Sequence, residues 1–389
     1  MTRPSSVRAA DILGYSRLAI DATAGMAHVV EAMHQTIAPS WTPGSGAAGV
    51  TYGAVRAIAK LVGCGMHAIL TPLIEMDGET HPVPEREAML AAVNGIVGDH
   101  LAATANPLAI SMCFRRSGRS LRLKRQDLAA TITCASSKVL VLVHGLCMND
   151  LQWTRGGHNH GEALAAKLGW TLVHLHYNSG LHISTNGRAF AALMENLVQQ
   201  WPARVREVAI IGHSSGGLLS RSAYHYGLAA GQGWPRRLRQ LVFLGTPHHG
   251  SALERAGNLV NVGLGLSPYS APLSRIAGIR SPGITDLRYG NLLDEDWNGI
   301  DRFRQSRDLR RPVPLPKRVR CYAIAASIGC NHEIGDGLVS VDSAMGRHPD
   351  PRLTLEFAKG NQWVGHGLDH WDLLGHPAVY QRIRKWLVS

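Results

Sequence analysis

The sequence predicts an α/β protein in which a mostly parallel sheet is covered by helices on both faces. Three observations predict it. Short, almost wholly apolar runs such as Val-Leu-Val-Leu-Val at 139–143 recur, as strands buried on both faces require. Amphipathic helical patterns alternate with those runs, and Gly and Pro punctuate the joins. With 389 residues, 45% hydrophobic and 17% charged, the chain is long enough for a large core and too apolar for disorder.

Residues 1–104 read as a helical extension rich in small residues. Val29, Val30, Met33 and Ile37 recur at helical spacing, as do Val55, Ile58, Leu61 and Val62, with breaks at 38–46 and 81–85. From Leu108 the pattern changes: LAISMCFR, the turn RSGRS and LRLK read as a β-hairpin. VLVLVHG (139–145) then reads as a buried strand, HGEALAAKLG as a helix stopped by Gly169, and TLVHLHY (171–177) as the next strand. Phe190, Leu193, Met194, Leu197, Val198 and Trp201 form a 3.6-residue stripe ended by Pro202. EVAIIGHS, LVFLGTP (241–247), CYAIAAS (321–327) and LTLEF (353–357) are expected as further strands. HPAVYQRIRKWLVS closes the chain as a helix with Pro377 in its first turn. The stretch from 250 to 317 is rich in Gly, Pro, Ser and Arg, and a run of this length inside a domain reads as a lid or cap insertion. The expected division is therefore a helical extension at 1–104 and a catalytic domain at 105–389 that carries the 250–317 insertion.

Charge and cysteine usage exclude several classes. The net charge of +12 resides in short clusters such as Arg236-Arg237-Arg239 and Arg307-Arg310-Arg311, without interleaved aromatic residues to stack bases. These read as solvated surface with no nucleic-acid partner, leaving peripheral contact with an anionic membrane or lipid surface compatible. Six cysteines without a C-x-x-C pair fit a reduced compartment. Asp11 and Arg17 interrupt what would have to be an apolar signal core, and the run 49–70 carries Arg56 and Lys60, short of an uncharged span. A soluble, cytoplasmic protein is expected.

A parallel sheet gathers its functional residues at the carboxyl ends of its strands. Ser214 stands at such an end, in Gly212-His213-Ser214-Ser215-Gly216, between a buried strand and a helix. Gly-x-Ser-x-Gly in that context is a nucleophile elbow: the serine occupies a strained turn and the glycines admit close backbone approach. A serine hydroxyl needs a base to take its proton and an acid to orient the base. Asp336, in GDGLV after CYAIAAS, is the candidate acid, with Glu333 and Asp342 as alternatives. In the tail GHGLDHWDLL, His370 is the candidate base because the following Leu-Leu-x-x-Pro run supports it; the alternative His366 is flanked by glycines. The backbone N–H groups of Leu146, after the first apolar strand, and Ser215 are the candidate oxyanion donors.

The set LVHGL, GHSSGG, GTPHHG, GDGLV and HWDLL, in this order, resembles α/β-hydrolase serine esterases and lipases, especially bacterial triacylglycerol lipases and lipase-like relatives of GPI inositol-deacylases. The resemblance covers residues 105–389 apart from the insertion. It implies the α/β-hydrolase fold, a Ser214–His370–Asp336 catalytic triad and hydrolysis of a small-molecule or lipid carboxylic ester of short to medium chain. A thioesterase or acyltransferase with the same triad, or a hydrolase bound to a lipid or polymer surface, is the alternative. No cofactor is implied. Some of these lipases bind calcium through an aspartate at the position of Asp372, but no partner aspartate stands upstream of Asp336, so Asp372 is expected to orient local backbone. No metal is expected at His248-His249, His158/His160 or His174/His176, since zinc needs about four convergent ligands. Cys147 reads as a packed small side chain.

Overall fold

The computed structural model describes residues 8, 10–22, 82–251, 280–302, 307–329 and 335–388. The apolar stripes at 29–37 and 55–62, the run 49–70, residues 252–279 and 303–306 of the expected 250–317 insertion, and Glu333 lie outside them.

A helix, α1 (Pro84–Ala103), precedes the hairpin β1 (Cys113–Arg116) and β2 (Arg119–Ser120). Ser117 and Gly118 join its strands with φ of 49° and 74°, the two positive values of a type I′ turn, which matches the twist of a two-strand ribbon. A short helix, α2 (Arg125–Thr131), leads to β3 (Lys138–Val143), α3 (His160–Leu168), β4 (Thr171–His176), α4 (Ile183–Gln200), β5 (Glu207–His213), α5 (Ser215–Ala229) and β6 (Leu238–Leu244). After the insertion come β7 (Arg320–Ser327), β8 (Gln362–His366) and α6 (Pro377–Val388).

Among the described residues these strands form one sheet in the order β8-β7-β6-β5-β3-β4-β1-β2. All pairs from β8 to β4 are parallel, and the hairpin adds an antiparallel edge through Cys113↔His176 and its neighbours. Successive residues of β3 face opposite layers. Val139, Val141 and Val143 pack with Phe190, Met194, Leu197 and Leu219 of α4 and α5, whereas Leu140 and Leu142 pack with Leu164, Val379 and Ile383 of α3 and α6. Each such side chain, fully buried, contributes roughly 1.5–3 kcal/mol. The fold class expected from the sequence is therefore present.

One strand differs from expectation. LTLEF, expected as a strand, alternates in burial with Leu355 buried, but it runs without a ladder, and β8 from QWVGH pairs with β7 instead. Leu355 meets Gly346, and Phe357 lies 6.1 Å from Phe243, so period-two burial arises from an extended segment lying over the core.

Helix α1 packs on the sheet's carboxyl end through a face nearly free of side chains. A Cβ at Gly95 would strike Cys147, and one at Gly98 would strike Asn178. Its amino end is tied to the hairpin because Arg115 pairs with both Glu87 (2.7 Å) and Asp150 (3.2 Å), while Arg86 pairs with Asp11 (2.6 Å) of the helical run 10–22. The described part of the expected N-terminal extension thus lies directly on the expected catalytic domain. No helix among the described residues is long and apolar enough to cross a membrane.

Candidate active site

Strand β5 is central, between β3 and β6, and delivers Ser214 at its carboxyl end. Residues 207–213 are buried but for the first, and 215–223 are all buried; Ser214 between them is half-exposed. Its φ of 53° and ψ of −129° lie outside the ordinary regions for a residue with a Cβ, as the elbow requires. The turn is held because the Ser214 N–H donates to the Leu244 carbonyl (2.8 Å) and the Gly217 N–H to the Ser214 carbonyl (3.0 Å). The glycines around it admit crossing backbone: a Cβ at Gly212 would stand 2.6 Å from the Gly217 nitrogen, and one at Gly216 would meet the Val143 and His144 carbonyls.

The structure brings His370 and Asp336 together. The His370 Nδ1–H donates to Asp336 Oδ2 at 2.6 Å, with both side chains almost wholly buried. The other carboxylate oxygen, Oδ1, accepts from the Leu338 and Val339 N–H groups (3.0 and 2.7 Å), and the Asp336 carbonyl accepts from the His370 N–H. A carboxylate only accepts, so the ring proton stands on Nδ1 and Nε2 keeps its lone pair. Both residues border Gly245, at the end of the strand adjacent to β5; a Cβ there would lie 3.1 Å from each. The alternatives are placed differently: Asp342 is exposed and paired with Arg347, and His366 is exposed on β8.

Leu146 lies in the loop after β3. A Cβ at Gly145 would stand 2.9 Å from Ser214 Cβ, so this loop rests against the elbow. Among the described residues the N–H groups of Leu146 and Ser215 donate to no protein atom, while the Cys147 N–H donates to Ser179 Oγ (3.1 Å). Cys147 has φ 59°, and burial pushes its thiol pKa up.

Several supporting residues were not singled out in the sequence. Tyr177 donates to the His144 carbonyl (2.9 Å) and stacks on the His144 ring at 4.4 Å, stiffening the strand end that carries Leu146. Burial lowers the His144 pKa to about 4, so that ring is neutral near pH 7. His213, inside the elbow, donates from Nε2 to the His370 carbonyl (3.1 Å), and burial together with the neighbouring His370 holds its pKa well below the usual 6.5. The signal for His213 was its place in the pentapeptide; for Tyr177 there was none beyond the end of a strand. As expected, Asp372 orients local backbone, its Oδ2 accepting from the Asp369 N–H (2.9 Å).

His158 and His160 bond to each other (2.9 Å), and His248 meets Arg221 (3.2 Å), a cation no metal site would place there. Among the described residues no cluster of three or more His, Cys, Asp or Glu could hold a metal ion.

Residues 136–309 match the family model of the PGAP1-like alpha/beta domain, a span that includes Leu146, Ser214 and Ser215 and ends before Asp336 and His370. No curated protein matches the chain. Among solved structures it is similar to the mature lipase BlEst2 of Bacillus licheniformis (19% identity, 64% of this chain and 91% of that one, TM-score 0.42). It is also similar to lipase B of Aspergillus fumigatus (15% identity, 62% and 50%, TM-score 0.35) and to phospholipase PlaB of Legionella pneumophila (20% identity, 54% and 46%, TM-score 0.34). The chain thus spans about half the length of the last two. The strand order and the family match together give this chain the α/β-hydrolase fold.

Proposed function

We propose that the chain is a serine carboxylic ester hydrolase acting on small-molecule or lipid acyl esters of short to medium chain. The observation that carries this reading is the buried His370–Asp336 pair at 2.6 Å, in the loops after β7 and β8 and against Gly245 at the end of β6, the strand beside the elbow of Ser214. Ser214 Oγ attacks the ester carbonyl while His370 Nε2 takes its proton, and Asp336 stabilises the imidazolium through Nδ1–H. The Leu146 and Ser215 N–H groups, which have no acceptor among the described residues, donate to the oxyanion. His370 then protonates the departing alcohol. Water, deprotonated by the same nitrogen, releases the acid from the acyl-enzyme. The reaction draws on no cofactor.

A panel of p-nitrophenyl esters of graded chain length tests the reading, with acyl-CoA and alcohol acceptors in parallel. Hydrolysis that peaks at short to medium chains and vanishes in Ser214→Ala supports it. Activity confined to thioesters, or acyl transfer without hydrolysis, would replace it.

A further inference from the structure

At the opposite end of the sheet from Ser214, a depression of about 610 Å³ opens beside the carboxyl-terminal half of α5. Its walls come from the start of β6, the residues before β7 and the proline-rich strap Val313–Pro316. Strand β6 runs seven residues between this depression and the end bearing the triad, so at about 3.3 Å per residue the two are roughly 20 Å apart.

Among the described residues the lining holds Arg221, Arg236, Arg239, Lys317 and Arg318 and no carboxylate. Among the described residues Arg236, Arg239, Lys317 and Arg318 make no ion pair or side-chain hydrogen bond. Arg221 is only 5% exposed; its guanidinium reaches the Val313 carbonyl and His248, and its Nε has no acceptor among the described residues. A buried guanidinium without a carboxylate is costly unless an anion arrives. Burial, with Arg310 nearby, lowers its pKa to about 9, the response of a cation lacking its counter-charge. Tyr224, Leu228 and Leu315 add apolar wall, and Leu228 is 51% exposed, an unusual state for a leucine beside four unpaired cations.

We propose that this depression is a binding site for the phosphate headgroup of an anionic amphiphile, with the phosphate among the arginines and the first carbons of its tail against Leu228 and Leu315. Guanidinium groups match phosphate oxygens in a bidentate fork. A free inorganic anion would leave the apolar wall unused, and a neutral amphiphile would leave the cations unpaired.

The test uses the full chain with Ser214→Ala, so that no ligand is consumed. Dihexanoyl-phosphatidylglycerol, dihexanoyl-phosphatidylcholine and inorganic phosphate, each as dissolved monomers, are titrated by calorimetry. The phosphatidylglycerol should bind at least tenfold more tightly than either of the others. Arg236→Gln with Arg239→Gln, both exposed and unpaired, should weaken it by roughly tenfold or more. The same pair in the Ser214 enzyme should leave turnover of a neutral short-chain ester unchanged. Equal binding of phosphatidylcholine, equal binding of inorganic phosphate, or indifference to the arginine substitutions would each overturn the proposal. Because binding is read without catalysis, its failure is separate from failure of the esterase reading.

Discussion

At Ser214 the backbone holds a conformation that costs a residue with a Cβ on the order of 1–3 kcal/mol, and it persists because neighbouring hydrogen bonds over-determine it. The same economy of choice applies to the two histidines of the tail. His370 is buried and bonded to Asp336, whereas His366, four residues earlier, is exposed. His370→Ala is therefore expected to lower kcat by about 10³-fold or more, and Asp336→Asn to act in the same direction because an amide favours the wrong tautomer. His366→Ala should leave kcat within a few-fold of the parent. Steady-state kinetics on one ester decides this, and equal losses at 366 and 370 would contradict the assignment. The pair was readable in sequence because an acid after a strand and a histidine before Leu-Leu-x-x-Pro occupy fixed topological places. The contact of His213 with His370 was not, since it depends on how the elbow and the tail cross.

Among the elements, strands buried on both faces were the most legible, because a run such as Val139–Val143 has no alternative to full burial. LTLEF misled because alternating burial does not require a ladder, and QWVGH, mixed in polarity and at the sheet's edge, carried little pattern. Helix α1 was the least legible in its placement. Its contact face is made of Gly95 and Gly98, and glycines leave no periodic trace. That contact yields a prediction opposite in sign to intrinsic propensity. Gly→Ala inside a helix ordinarily stabilises by about 1 kcal/mol. At Gly95 the added Cβ meets the Cys147 backbone nitrogen at 2.9 Å, one residue from the proposed oxyanion donor Leu146. Gly95→Ala should lower kcat by roughly tenfold or more, a fraction of the 10²–10³ that follows loss of an oxyanion donor, with the fold intact by near-ultraviolet circular dichroism. Unchanged kcat with a raised Tm would show that α1 does not press on that loop.

Across the whole molecule, histidines packed without charge link stability to pH. Burial lowers the pKa of His144, His160, His174 and His249 from 6.5 to about 4 each. The unfolded chain takes up protons below about pH 6.5 that the folded chain refuses until about pH 4, so stability is flat above that window and falls as pH drops through it. Each histidine adds a slope of about 1.4 kcal/mol per pH unit well inside the window. Thermal unfolding should therefore show a Tm that is steady near neutrality and declines steeply towards pH 5. A Tm unchanged between pH 7 and pH 5 would mean that these rings are protonated in the folded state or reach solvent.

The central claim is that Ser214 is the nucleophile of an ester hydrolase, and covalent trapping tests it most directly. A fluorophosphonate probe, followed by peptide mapping, is predicted to modify Ser214 alone among the serines, with labelling abolished in Ser214→Ala. An adduct on Ser215 or any other serine, or labelling that survives Ser214→Ala, would contradict it.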